Sequence, residues 1–290
     1  MPSGAMPEAT REKIQTVAVI GVGLIGGSFA LGIRRRGFEG EIIGVSSPRA
    51  IQAAIERGAI SRGVSLEAAC QEADLLYLAD RVDAIIDVIR KIGPLAPPGT
   101  LITDAGSTKR AIVQAANEAV QSATFIGGHP MAGKELRGVQ NADPDLFAGR
   151  PYVVTEPTRP SPLVPQFEDL LRRLDVEVVR MSAEEHDRAV AFTSHLPQLL
   201  STALAKTIAE HGPESFHNVV GPGLLDMTRL ALSAPDLWTS ILRTNAESVV
   251  FALDLFISNL NSLRNQLTSD GLAAEFIRAA ALARQIRNRE

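Results

Sequence analysis

The stretch TVAVIGVGLIGGS, residues 16–28, restricts the fold of this chain more than any other. Five β-branched or small apolar residues give a strand signal that runs directly into Gly21-x-Gly23-x-x-Gly26, after which helix-forming residues begin. Gly21 permits a tight turn, Gly23 lets a diphosphate approach the backbone, and Gly26 allows the helix to pack closely on the strand. Leu24 and Ile25 complete the loop, and the helix N-terminus offers free N–H groups and a positive dipole end to phosphate. The spacing therefore predicts a dinucleotide-binding βαβ unit near the start of the chain. The choice of nucleotide is read after the second strand, where an NAD site usually places an acid on the ribose hydroxyls. Here EIIGV (41–45) is followed by Ser46, Ser47, Pro48 and Arg49, with no acid. Two hydroxyl donors and a guanidinium suit the dianion of a 2′-phosphate, so NADP is favoured over NAD.

The alternation of strand and helix continues along the chain. TVAVI (16–20), EIIGV (41–45), LLYLA (75–79), TLITD (100–104), TFIGG (124–128), PYVVT (151–155) and VEVVR (176–180) read as strands between helix-length segments. Several are apolar nearly throughout, as strands covered on both faces are. This predicts an α/β fold with an N-terminal Rossmann-type doubly wound sheet over residues 14–181. Near residue 182 the pattern changes: Ser182 and Glu185 carry a capping-box signature that opens a region with no convincing strand. One amphipathic stretch runs from His186 to Gly212, with Pro197 expected to kink it; a second spans 236–267; a last helix is expected from about Asp270 to Arg289. The second is too long to bury its apolar face within a small domain. Residues 182–290 are therefore expected to form an all-α C-terminal domain that holds substrate and pairs two copies into a homodimer.

Two domains fit 290 residues and imply a cleft between them. A net charge of −4 lacks the basic excess that nucleic-acid backbones require, so the expected ligand is a small molecule. No window supplies the ~18 apolar residues of a membrane span. Residues 1–13 carry no apolar core for a signal peptide and are expected to be a loose lead-in. The single cysteine, Cys70, lies in a helix-like run and reads as a buried, inert thiol, which agrees with a cytoplasmic setting. No metal is expected.

In doubly wound sheets, ligands bind beyond the carboxyl ends of the strands. Two polar side chains lie just past such ends: Ser107 in DAGSTK and His129 in GGHPMAG. A glycine pair before the histidine and a proline after it aim the imidazole without burying it in a helix face. His129 is thus the catalytic candidate, facing the nicotinamide together with Ser107.

VAVIGVGLIGGSFA, TDAGSTK, GGHPMAGKELRG, SHLPQ and DMTRLALSAPDLW occur in this order. Over about residues 14–270 the chain resembles the prephenate and arogenate (cyclohexadienyl) dehydrogenase family of tyrosine biosynthesis. The resemblance implies an NAD(P)-dependent oxidative decarboxylation: hydride leaves the ring carbon bearing the hydroxyl, CO2 departs, and the ring becomes aromatic. Prephenate would give 4-hydroxyphenylpyruvate; arogenate would give tyrosine directly. The resemblance also implies that His129 acts as general base or hydrogen-bond acceptor, and that Ser107 hydrogen-bonds the ring hydroxyl or His129. His195 would line the pocket from the second domain, and Arg229 would grip a substrate carboxylate. Glu135 and Asp226 would shape or gate the site, and Trp238 would flank the substrate. Two departures from the family pattern stand out. After the strand at 75–79 the chain reads Ala79-Asp80-Arg81 where relatives carry a threonine-like residue and proline, in a loop that borders the cofactor. The familiar HLPH is HLPQ, with Gln198 in place of the second histidine.

A β-hydroxyacid or 6-phosphogluconate-type dehydrogenase also joins a Rossmann domain to a helical one. Those resemble a pattern with a catalytic lysine, and the only lysine after Lys134 is Lys206. A nucleotide sensor that had lost catalysis would keep the fold without needing His129, Ser107 and Arg229 together.

Overall fold

The computed structural model describes residues 11–134, 136–269 and 271–288. Strand β1 (Thr16–Ile20) is followed by α1 (Leu24–Arg35), β2 (Glu41–Val45), α2 (Pro48–Glu56), a two-residue β3 (Arg62–Gly63), α3 (Leu66–Glu72) and β4 (Leu75–Leu78). Then come α4 (Val82–Ile92), β5 (Leu101–Asp104), α5 (Arg110–Ala119) and β6 (Thr124–Ile126). The six strands form one parallel sheet in the order β3-β2-β1-β4-β5-β6. The order reverses between β1 and β4, which opens a crevice beyond their carboxyl ends. The apolar runs are explained by burial on both faces. Val17, Val19, Leu75 and Tyr77 pack beneath α1, while Ala18, Ile20, Leu76 and Leu78 pack beneath α4 and α5. Each fully buried aliphatic side chain contributes about 1.5–3 kcal/mol, so this double core holds the crevice rigid. Cys70 is buried in the second core, where burial pushes its thiol upward.

The expected single strand at 124–128 divides at Gly127, and the chain then leaves the sheet. β7 (Gly128–Pro130), β8 (Pro151–Val154), α6 (Leu163–Arg173) and β9 (Glu177–Arg180) build a separate three-stranded sheet. In it β7 runs antiparallel to β8, and β9 parallel to β8. The cause is a close crossing: a Cβ on Gly128 would lie 2.5 Å from Asp104 O and 3.0 Å from the Tyr152 hydroxyl. Only a glycine passes there, and the turn swings His129 over the end of β5. Tyr152 and Tyr77 join the two sheets through their hydroxyls at 3.2 Å. Strand β3 was not signalled because Arg62 and Gly63 are both exposed; Glu41 and Glu72 hold Arg62 in place.

The capping box forms as read: Ser182 Oγ accepts from Glu185 N at 3.2 Å, and Glu185 Oε2 accepts from Ser182 N at 3.0 Å. It starts α7 (Ala183–Val190), which passes through a π-turn (Ala191–His195) into α8 (Leu196–His211). The stretch from His186 is therefore interrupted by the π-turn, which ends two residues before Pro197, and Pro197 sits in the first turn of α8. After α9 (Pro222–Thr228) and a 3-10 turn (Arg229–Leu232) come α10 (Pro235–Thr244), α11 (Ala246–Asn265) and α12 (Leu272–Arg287). The expected segment 236–267 is two helices, broken at Asn245. Among the described residues only Ala191, Val249 and Ala252 form a buried apolar cluster here, whereas Phe251, Leu255, Ile257, Leu260, Phe276 and Ile277 are exposed. Among the described residues no helix is long and apolar enough to cross a membrane.

The two domains meet at the N-termini of α4 and α5, neither of which is capped by its own side chains. Ser240 Oγ of α10 accepts from Asp83 N at 3.0 Å. Asp187 of α7 accepts from Lys109 N at 2.7 Å and from Arg110 N at 3.0 Å. The helical domain thus supplies acceptors for first-turn donors that the first domain leaves unmatched.

Candidate active site

Gly21 adopts φ +89°, and a Cβ there would sit 2.4 Å from Ala79 O. Gly26 is equally confined, with Gly21 O at 2.3 Å and Val19 Cγ1 at 2.7 Å from such an atom. Gly23 is the opposite case, with nothing within 4 Å. Helix α1 has no side-chain cap and no acid in its first turn, while Leu24 and Ile25 anchor that turn on the first core. The loop is therefore tight where it meets protein and open where a diphosphate would lie, with uncommitted N–H groups facing it. Past β2, Ser47 Oγ caps α2 by accepting from Ala50 N at 3.4 Å, which leaves its hydroxyl proton to donate. Ser46, Ser47 and Arg49 are exposed, and Arg49 makes no ion pair among the described residues. Ala79 donates its N–H to Ile20 O at 2.7 Å. Asp80 Oδ1 accepts from Arg81 N at 2.7 Å, and the Arg81 guanidinium reaches Asp83 at 3.4 Å, so the unusual charged pair is matched locally.

His129, on β7, is 9% exposed. Its Nδ1 lies 2.8 Å from His186 Nε2, and His186 Nδ1 lies 2.8 Å from Asp187 Oδ1. The proton positions follow from the acceptor end. A carboxylate only accepts, so His186 keeps its proton on Nδ1, its Nε2 accepts from His129 Nδ1–H, and His129 Nε2 is left with a lone pair. Burial holds His129 well below the ordinary histidine range, and nearby His186 and Lys109 push it the same way. Burial also lowers His186, with the Asp187 hydrogen bond opposing. At Asp187 burial pushes upward, but hydrogen bonds from His186, Lys109 N and Arg110 N together outweigh it and hold the carboxyl low. The relay at neutral pH is one anion and two neutral imidazoles. Beneath it, Lys109 and Asp104 form an ion pair with no exposure. Asp104 also accepts from Gly106 N at 2.8 Å and Gly128 N at 3.1 Å, which ties β5 to β7. Burial lowers the Lys109 ammonium, opposed chiefly by Asp104.

From the other domain, His195 ends the π-turn, 1% exposed, with its ring edge-on to Trp238 at 5.9 Å. Asn245 Nδ2 lies 2.7 Å from Asp187 O and 3.3 Å from His195 Nδ1. Burial pushes His195 down to about 4. His129, His195 and Trp238 are thus joined through His186, Asp187 and Asn245. Ser107 lies on the loop before α5, partly exposed, between buried Gly106 and Thr108. Asp226 and Arg229 lie on an exposed segment beside α8 rather than within that network. Among the bonds that hold this segment, Gln198 Nε2 donates to Leu230 O at 2.8 Å, and Ser201 Oγ accepts from Ala231 N at 3.0 Å. The Gln198 departure therefore has a structural task, anchoring the residue next to Arg229. Glu135 lies outside the described residues. Lys206 is exposed on α8 and pairs with Glu210 at 3.7 Å, unlike a lysine held in a catalytic cleft.

Five buried polar residues of the site were not singled out from the sequence: Asp104, Lys109, His186, Asp187 and Asn245. A signal existed for two. Ala183, His186, Asp187 and Val190 are the buried positions of α7, so a histidine and an acid occupy an i, i+3, i+4, i+7 stripe that should be apolar.

A phosphate loop with a buried neutral imidazole poised beyond the strand ends defines a two-domain, dinucleotide-dependent dehydrogenase. Residues 29–180 match the family described as prephenate dehydrogenase, nucleotide-binding domain, and residues 182–279 match prephenate dehydrogenase, dimerization domain. The chain belongs to the prephenate dehydrogenase family. It is 35% identical over 261 residues to a prephenate dehydrogenase of Lactococcus lactis subsp. cremoris, covering 88% of this chain and 72% of that one. Among solved structures it is similar to prephenate dehydrogenase from Aquifex aeolicus in complex with hydroxyphenyl propionate and NAD+. That match has a TM-score of 0.86 at 28% identity, covering 95% of this chain and 99% of that one. It is also similar to Synechocystis arogenate dehydrogenase, with a TM-score of 0.78 at 30% identity, covering 94% and 99%. The exposed apolar face of α11 and the first half of α12 lies within the stretch that matches the dimerization domain, which accounts for its lack of cover in a single copy.

Proposed function

We propose that this chain is an NAD(P)-dependent prephenate dehydrogenase that converts prephenate to 4-hydroxyphenylpyruvate and CO2. The observation that carries the reading is the Asp187–His186–His129 relay, which presents a deprotonated Nε2 beyond the end of β5. The bound oxidised nicotinamide supplies the hydride acceptor. His129 Nε2 holds the proton of the ring hydroxyl while hydride leaves the carbon beneath it, giving a dienone. Loss of CO2 returns an electron pair to the ring, the oxygen becomes a phenolate, and His129 gives the proton back. No net proton is released, so a base that is neutral at rest and briefly charged is what the reaction needs. Asp187 answers that charge from the far end of the relay. Ser107 shares the ring hydroxyl, Arg229 takes a substrate carboxylate, and Asp226 and Trp238 shape the pocket around it.

NADP is the preferred nucleotide in this reading, supported by the exposed Ser46, Ser47 and Arg49 past β2. A steady-state assay that crosses prephenate and arogenate with NAD and NADP tests both parts. Turnover confined to arogenate overturns the substrate assignment. Arg49→Ala is expected to raise the KM for NADP about tenfold or more, the worth of a charge-assisted hydrogen bond, with little change for NAD. Equal effects on both nucleotides would place the phosphate elsewhere.

A further inference from the structure

Asn245 is fully buried, yet it belongs to neither helix it separates: its N–H donates to Ile241 O at 3.2 Å, and its own carbonyl accepts from Val249 N at 3.1 Å. These bonds fix the side chain between two acceptors. Asp187 O at 2.7 Å is a backbone carbonyl and can only accept, so the Asn245 amide must turn its NH2 group toward it. The second hydrogen then points to His195 Nδ1 at 3.3 Å. In this orientation Asn245 Oδ1 is buried without a partner. Unmatched buried atoms are few in folded proteins and call for an explanation beyond packing.

We propose that Asn245 is a positioning residue that locks His195 in the Nε2–H tautomer, making His195 a hydrogen-bond donor to the substrate and barring it from acting as a base. With Nδ1 occupied as an acceptor, a neutral His195 carries its single proton on Nε2, which makes no hydrogen bond among the described residues. The two imidazoles at the ends of the network, His129 and His195, are therefore set in opposite senses by their partners. Asp187, through His186, leaves His129 with a lone pair outward; Asn245 leaves His195 with a proton outward. One pocket then holds a dedicated acceptor for the ring hydroxyl and a dedicated donor for a carboxylate or keto oxygen. The identity of that oxygen rests on the function proposed above; the tautomer does not.

Histidine-selective 15N NMR of the full-length protein reads the tautomer directly, with the His195 signal assigned by its loss in His195→Gln. The expected spectrum shows Nε2 protonated and Nδ1 bare in His195. A spectrum with Nδ1 protonated overturns the proposal, whether or not prephenate is turned over. Asn245→Asp keeps the shape but sets an acceptor against Nδ1, which draws the proton there. Its KM for prephenate is expected to rise about tenfold with nucleotide affinity unchanged. The loss should lessen as pH falls and His195 gains a second proton, under the influence of Asp187 and the relay histidine His186, which also face it. In a His195→Gln background, where the donor needs no tautomer, Asn245→Asp should change KM less than twofold. Equal losses in both backgrounds, with no pH relief, would mean that Asn245 acts only through packing. If Asn245→Asp does not fold, the spectrum of the unaltered protein decides alone.

Discussion

Replacing Asp187 by asparagine preserves the outline of the side chain and removes its charge, which isolates what the relay does for His129. Asp187 Oδ1 accepts from Lys109 N and His186 Nδ1, and Oδ2 accepts from Arg110 N. The amide will keep its oxygen where two donors converge and set its NH2 against Arg110 N–H, so the histidine tautomers survive. Two costs remain. One buried donor at the start of α5 is stranded and the α5 dipole loses its anion, together about 2–3 kcal/mol of stability. During the reaction, a charge on His129 is no longer answered by a carboxylate, which two 2.8 Å hydrogen bonds and one ring width put on the order of 8 Å away. At an effective dielectric of ~20 that interaction is worth on the order of 2 kcal/mol, or roughly thirtyfold in kcat. Nucleotide binding should be unaffected, because the phosphate loop makes none of these contacts. The assay follows reduced nicotinamide at saturating substrate, with calorimetric unfolding alongside. Asp187→Ala, which frees His186 to turn, should cost about a hundred- to ten-thousandfold, the range expected when a general base is lost. Turnover of Asp187→Asn within twofold of the parent would refute the relay as a source of catalysis.

Acid should weaken the fold before it protonates most carboxylates. His195 falls from 6.5 to about 4 in the folded state, and at about 1.4 kcal/mol per tenfold change in proton affinity this is worth roughly 3 kcal/mol. The unfolded chain takes up the proton below about pH 6.5 and the folded one refuses it, so stability is lost progressively from there toward pH 4; His129 and His186 act in the same direction. Denaturant midpoints that stay level or rise between pH 6.5 and 5 would contradict this. Gly21→Ala and Gly23→Ala should part company. The first drives a methyl into Ala79 O and forces φ +89° on alanine, costing about 3 kcal/mol or more, whereas the second meets open space and should leave the melting point unchanged while weakening nucleotide binding at least about tenfold. Equal melting-point losses would mean that Gly23 does not face open space, and unchanged nucleotide affinity in Gly23→Ala would mean that this space is not a binding surface.

Local patterns carried the first domain far, because period, glycine spacing and strand-to-helix order are all written within short windows. They failed where partners are distant. PYVVT and VEVVR announce strands correctly but not that they join β7 in a second sheet; that follows from Gly128 slipping past Asp104, a contact between positions 24 apart. The break at Asn245 has no glycine or proline to mark it. The place of His129 past a strand end was legible, whereas its hydrogen-bond partners were not, since His186 and Asp187 lie in a helix that only the folded chain brings against α5. Lys109 reads as an ordinary surface cation until Asp104 and the strand ends close over it.

The shared capping at α4 and α5 has a mechanical meaning. Swinging the lobes apart as rigid bodies would leave Asp83, Lys109 and Arg110 amides without acceptors, so the cleft is a welded joint and not a jaw. A nucleotide settling on one half and a substrate lying between the two are therefore expected to act on one cooperative body, and either alone is expected to raise its melting temperature.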